Sequence, residues 1–185
     1  MPHASTLFFK PVDIHYILSG EFFPASLKLH EFDRPSIGKG VDIMASGKYP
    51  QQPVIAVGAV VVHKNRILLI RRGREPAKGE WAIPGGRVEL GETMREAVAR
   101  EIMEETCVSI RPGELVYFFE TIHPDPDGRI RFHYTIFDFM AEYLAGEPNP
   151  RDDAMDARWV SAADANTYNL NTKTRDLLHR IGFIP

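Results

Sequence analysis

The chain reads as an α/β protein with a sheet layered between helices, on three observations. First, a valine-rich run from Val54 to His63 is followed by Lys64-Asn65 and then by the alternating stretch Arg66 to Arg71. That is the pattern of a buried strand, a hairpin tip and a returning strand. Second, Thr93 with Glu96 three residues later forms a capping box, which starts a helix at about Thr93. Third, the strand-like runs Leu115 to Ile122 and Ile130 to Tyr143 flank a turn-rich tip, His123 to Gly128. Strands with a helix to either side bury both faces of a sheet as an α/β/α sandwich.

The remaining elements follow in order. Arg72 to Glu80 is polar, carries Gly73, Pro76 and Gly79, and reads as a loop. Ala145 to Asp153 is a second loop, Ala157 to Val160 a short strand, and Ser161 the cap of a short helix. Thr174 to Ile181 has a helical pattern. Residues 1–52 hold apolar pairs (Phe8-Phe9, Tyr16-Ile17, Phe22-Phe23) broken by Pro11, Gly20 and Pro24, which is too apolar for a disordered tail. They are expected to form a structured extension that wraps the domain or builds a homodimer interface. Residues 53–185 form the main domain.

Composition narrows the class. A chain of 185 residues fits one domain with a real core. A net charge of −3 argues against a surface that coats nucleic acid. A single cysteine rules out an internal disulfide, and the first residues lack the basic-then-apolar order of a signal peptide. The longest apolar stretch, Ile55 to Val62, is too short to span a bilayer. A cytoplasmic protein without membrane attachment is the expectation.

The chemistry concentrates in residues 86–108, GRVELGETMREAVAREIMEETCV. Glu101, Glu104 and Glu105 fall within roughly a 100° arc of the helix, behind a Gly85-Gly86 turn. Ala97 shares the arc and leaves room beside the acids, while Val98, Ala99, Ile102 and Met103 mark the buried stripe. Taken alone, the glutamates fit a solvated acidic helix. A divalent cation among them would relieve their repulsion, and a cation held by carboxylates handles phosphate.

The spacing decides between these. Gly86, Glu92, Arg100, Glu101, Ile102, Glu104, Glu105 and Val108 match G-x5-E-x7-R-E-U-x-E-E-x-G-U, with U aliphatic. The chain thereby resembles the Nudix hydrolases, and the preceding WAIPGG, Trp81 to Gly86, is similar to that family as well. The resemblance is densest from about Val54 to Ser161. It implies a mixed sheet between helices, with the signature forming a loop–helix–loop. One position departs: Cys107 stands where the family has glycine, so either the helix ends differently or a left-handed cysteine is tolerated.

The resemblance also implies roles. Glu101 and Glu105 are the leading ligands for magnesium, or manganese in its place, with Glu104 close behind and the Gly85 or Gly86 carbonyl as a further donor. Arg100, pointing away from the acids, pairs structurally with Glu92. Glu105 leads as general base, and Asp153 is the later alternative among Asp152, Asp153 and Asp156, by its spacing to Trp159. Arg71, Arg72 and Arg74 are candidates for phosphate contact, with solvated strand-end charges the plainer reading. Trp81 and most other aromatics, Phe118, Phe119 and Tyr134 among them, fit packing better than base stacking. The expected substrate is a small nucleotide: ADP-ribose or another nucleotide sugar. Alternatives are a nucleoside triphosphate pyrophosphohydrolase, a GDP-mannose mannosyl hydrolase-like enzyme, and a non-catalytic nucleotide sensor.

Overall fold

The computed structural model describes residues 48–185. The N-terminal extension and its expected dimer surface therefore lie, apart from residues 48–52, outside the described residues. Within that tail Tyr49 donates its backbone N–H to the Arg131 carbonyl at 2.8 Å, and its ring lies under the Arg129 guanidinium at 4.6 Å.

Strand β1 (Val54–His63) is built from β-branched residues that favour extended backbone. It turns through Lys64 and Asn65, both at positive φ (49° and 59°), into β2 (Arg66–Arg72). Two consecutive left-handed residues match the twist of a two-residue hairpin. There follow β3 (Trp81–Ala82), β4 (Gly85–Arg87), α1 (Met94–Thr106), β5 (Ser109–Pro124), β6 (Ile130–Ala145), β7 (Ala154–Ser161), α2 (Ala162–Ala165) and α3 (Thr172–Arg180). The expected capping box closes in full, with Thr93 accepting from the Glu96 N–H and Glu96 accepting from the Thr93 N–H.

The sheet runs β3-β2-β1-β6-β5, with β4 added to β1 and β7 added to β2. It is mixed: β1 and β6 run parallel over Val54 to Val62, and the other pairs are antiparallel. On the side away from β6, the start of β1 (Ala56 to Gly58) pairs with β4, and its end (Val62, His63) pairs with β2. The sheet thus forks along β1.

Alternation along the strands makes two cores. Val57, Ala59 and Val61 face α1 through Ala97, Val98 and Ile102, together with Phe139 and Ala141. Val60, Ile67, Leu69 and Ile83 face the other way, onto Leu177 and Leu178 of α3. A helix on each face is the α/β/α sandwich expected from the pattern.

Several details differ from the sequence reading. The long hairpin β5–β6 extends further than expected at both strands, because its two chains pair from Ser109–Ala145 to Pro124–Ile130. The Gly85-Gly86 turn is instead strand β4, paired along β1. The buried stripe of α1 is rotated: Met103 is 44% exposed, while Ala97, Glu105 and Thr106 join Val98 and Ile102 inside. Ala97 therefore packs in the core and opens no space beside the acids. Phe118 is 66% exposed and stacks on Phe137 rather than entering a core.

Helix α1 ends as the signature requires, but on cysteine. Cys107 adopts φ 59°, ψ 19°, and its N–H closes onto the Met103 carbonyl. A side chain in this conformation costs about 1 kcal/mol relative to glycine. Cys107→Gly is expected to raise the unfolding midpoint by about 2–4 °C, with turnover nearly unchanged, as read by thermal melts and initial rates. A large loss of turnover would assign this residue a role beyond the helix end.

Candidate active site

Glu105 anchors the site. Its carboxylate, in a residue only 3% exposed, accepts the Gly85 N–H at 2.8 Å. Burial is the largest influence on it and pushes its carboxyl up to about 8. The Gly85 bond and the charge of Arg72 pull it down, while Asp153 and Glu101 push it further up. Glu101 is also raised, first by burial, with Arg100 opposing and Glu104 and Asp153 adding repulsion. Its carboxylate lies over Gly86, where any Cβ would collide with it.

Asp153 comes to these glutamates through the loop after β6. Helix α1 leaves carbonyls free in its last turn. The Asn149 N–H donates to the Thr106 carbonyl at 2.9 Å, and the Arg151 N–H to the Glu105 carbonyl at 3.0 Å. The Gly73 N–H holds the Asp153 carbonyl at 2.7 Å. Asp152 pairs with Arg74 at 3.5 Å, and Asp156 with Arg158 at 2.6 Å. Of the three later acids, Asp153 is the one whose charge acts on both Glu101 and Glu105.

Arg100 does not point away from the acids. It grips Glu92 through Nη2 at 2.6 Å and Nε at 3.1 Å, and donates to the Arg87 carbonyl at 3.0 Å. It also reaches Glu101 at 2.9 Å and Glu104 at 3.1 Å through Nη1. The i,i+4 spacing to Glu104 and a long side chain make this reach possible. Arg100 is held charged by these bonds, chiefly the one to Glu92, and Glu92 is in turn held below the usual carboxylate range by Arg100. The Glu104 side chain is 51% exposed, on the open side of the cluster.

The arginines after β2 divide. Arg71 Nε donates to the Gly79 carbonyl at 3.2 Å, and Arg72 Nε to the Pro76 carbonyl at 3.1 Å, so both brace their loop. Arg72 also acts electrostatically on Glu105. Arg74 lies 3.8 Å from Asp153. Trp81 is buried edge-on against Tyr168, with ring centroids 4.9 Å apart.

Among the described residues no three acidic, histidine or cysteine side chains form a ready metal cage. The donor set nonetheless suits a hard cation: two buried or half-buried carboxylates, both destabilised as anions, beside a strand of glycine backbone. Arg100 supplies positive charge to Glu101 and Glu104, and no hydrogen bond from it reaches Glu105. A cleft of about 270 Å³ lined by His63, Lys64, Arg66, Glu147 and Trp159 holds none of these acids.

One buried carboxyl had escaped the sequence reading. Asp138 of β6 is 4% exposed, and burial pushes it up to about 7. Its signal was an acid at an inward position of an alternating apolar strand.

Residues 52–181 match the NUDIX domain family. The chain is 35% identical over 144 residues to an ADP-ribose pyrophosphatase of Methanocaldococcus jannaschii, covering 78% of this chain and 82% of that protein. It is 32% identical over 114 residues to the phosphatase NudJ of Escherichia coli, covering 61% and 71%. A MutT NUDIX hydrolase from Burkholderia pseudomallei superposes with a TM-score of 0.61 at 31% identity, covering 71% of this chain and 99% of that one. Among the described residues, no helix is long and apolar enough to cross a membrane.

The raised Glu105 carboxyl gives the metal-free protein a pH dependence. The fold keeps a proton up to about 8 that the unfolded chain releases near 4.5. The associated stability is fully present below the unfolded value and is lost as pH rises through the folded one. With chelator present, the unfolding midpoint is expected to fall between these limits, and to fall less in Glu105→Gln. Melts of both proteins across that range check this; parallel curves would contradict it.

Proposed function

The chain belongs to the Nudix hydrolase family, and from that premise we propose that it splits the diphosphate bridge of ADP-ribose or another nucleotide sugar with magnesium. The products are a nucleoside monophosphate and a sugar phosphate. The observation that carries this is the buried Glu105 carboxyl, placed by the Gly85 amide among Glu101 and Asp153. The similarity to the ADP-ribose pyrophosphatase supports the substrate class.

Enzymes of the family generally use divalent metal ions. Glu101 and Glu105 would hold the ion here, with Glu104 and the Gly85 carbonyl beside them. Once bound, such an ion neutralises phosphate oxygens and favours in-line attack by water. The chain's own groups do the rest. Glu105, ionised when it holds the cation, is the group that accepts the proton of the attacking water. Asp153 raises the proton affinity of Glu105 by its charge. Arg72 and Arg74 present positive charge on the same side, where a diphosphate would need it. Arg100 fixes Glu92, Glu101 and the Arg87 carbonyl as one frame.

The family signature is compatible with one further reading, cleavage of nucleoside triphosphates. A panel of ADP-ribose, GDP-mannose, other nucleotide sugars, dinucleoside polyphosphates and nucleoside triphosphates, assayed with magnesium for released phosphates, separates the two. ADP-ribose or another nucleotide sugar is expected to give the highest kcat/KM. Tight binding of one member without turnover of any would make the protein a sensor. Glu105→Gln should lower kcat by about 10²-fold or more while the protein stays folded. A drop of only a few-fold would move the base to Asp153, with Asp153→Asn the next variant to assay.

A further inference from the structure

The cleft at the tip of the β1–β2 hairpin takes no part in the diphosphate chemistry. It encloses about 270 Å³ between His63, Lys64, Arg66, Glu147 and Trp159. Its aromatic wall is built into the fold. Trp159 of β7 pairs with Leu68 of β2, and its ring lies 5.6 Å from both the His63 and the Tyr143 ring. Those two rings are themselves 4.0 Å apart. Trp159 and Tyr143 pack on the α1-side core, so the wall is in place before any ligand arrives. The Tyr143 hydroxyl donates to the Gly146 carbonyl at 3.0 Å, which fixes the start of the loop that carries Glu147.

The charges around this wall are uncommitted. His63 and Arg66 pair across the end of the hairpin, with Lys64 in the turn between them. Among the described residues, no hydrogen bond or ion pair holds the side chain of Lys64, Arg66 or Glu147. Arg74, Arg100, Arg111, Arg129 and Arg158, by contrast, each reach a carboxylate. Two cations and one carboxylate thus line a single cleft without pairing to each other. Concave walls of one dominant sign raise the local concentration of an anion. The half-buried indole offers a flat face on which a base can stack.

We propose that this cleft is a second nucleotide site, which seats a purine nucleoside monophosphate. The base stacks on Trp159 and donates an N–H to the Glu147 carboxylate. The phosphate takes charge-assisted bonds from Lys64 and Arg66. The volume falls just below the roughly 300–1,000 Å³ of small-molecule sites, so the cleft suits one nucleotide and not a diphosphate-linked pair. The site is separate from the catalytic acids: Asp153 precedes the far end of β7, roughly 20 Å along the strand from Trp159. It goes beyond the diphosphate-hydrolase reading and does not depend on it.

The test is titration of the full chain, kept metal-free by chelator, with AMP and with inorganic phosphate, followed by calorimetry and tryptophan fluorescence. AMP is expected to bind and to quench emission, and the quenching should vanish in Trp159→Phe. Affinity for AMP should fall about tenfold or more when Lys64→Ala and Arg66→Ala are combined. Both side chains are exposed, so the unfolding midpoint should stay at the wild-type value. Glu147→Ala, on a different loop, is the second variant, and should weaken AMP without weakening phosphate. Glu105→Gln should bind AMP as the wild type does. No AMP binding by the wild type, wild-type affinity in both cleft variants, or inorganic phosphate binding as tightly as AMP would each overturn the proposal. Loss of AMP binding in Glu105→Gln would place the nucleotide at the catalytic acids and overturn it as well. Protein that binds AMP in the cleft but cleaves no diphosphate would overturn the functional reading and leave this one standing.

Discussion

A buried carboxylate held by one backbone amide is the constraint around which the site is arranged. The bond from the Gly85 N–H to Glu105 joins the last turn of α1 to strand β4. It requires β4 to lie along the start of β1, so that the Gly85 amide faces the helix. It requires Gly86 to lack a side chain, so that Glu101 can occupy the space above it. The loop that carries Asp153 is tied to the same helix turn, through the Glu105 and Thr106 carbonyls. Moving any one of these elements would move the acids with respect to each other.

Electrostatically the cluster is unbalanced by design of its surroundings. Arg100 neutralises the outer acids, Glu92, Glu101 and Glu104, through direct bonds. Glu105 has only a backbone amide and the more distant charge of Arg72 to set against burial and two neighbouring carboxylates. Such an arrangement is poor for folding and good for recruiting a cation, since unpaired buried charge is costly until something compensates it. Asp138 is buried on the other face of the sheet, and that burial pushes its carboxyl up to about 7.

Much of this was legible in the sequence, for physical reasons. The capping box at Thr93 and Glu96 is local, so the helix start followed from adjacent residues. Lys64-Asn65 and the valine run of β1 are likewise local signals. The signature spacing brought Glu101, Glu104 and Glu105 together because helical periodicity alone does so. What was not legible depended on contacts distant in sequence. The rotation of the buried stripe, which exposes Met103 and buries Glu105, is set by β4 and the loop at Asn149 to Asp153. The reach of Arg100 to Glu101 and Glu104 depends on its rotamer, which no spacing rule states. Gly85-Gly86 reads as a turn because glycine is a turn residue; here it serves close approach within a strand instead. Asp138 was overlooked because its meaning comes from Gly58, eighty residues earlier and one strand away.

The central claim is that Glu105 holds its proton until a divalent cation replaces it. Magnesium or manganese titrated into the metal-free protein at neutral pH, in buffers of different ionisation enthalpy, counts the protons that leave on binding. The account predicts release approaching about one proton per chain, lost in Glu105→Gln along with much of the affinity. Binding without proton release, at an affinity that the substitution leaves untouched, would place the cation elsewhere and contradict the account.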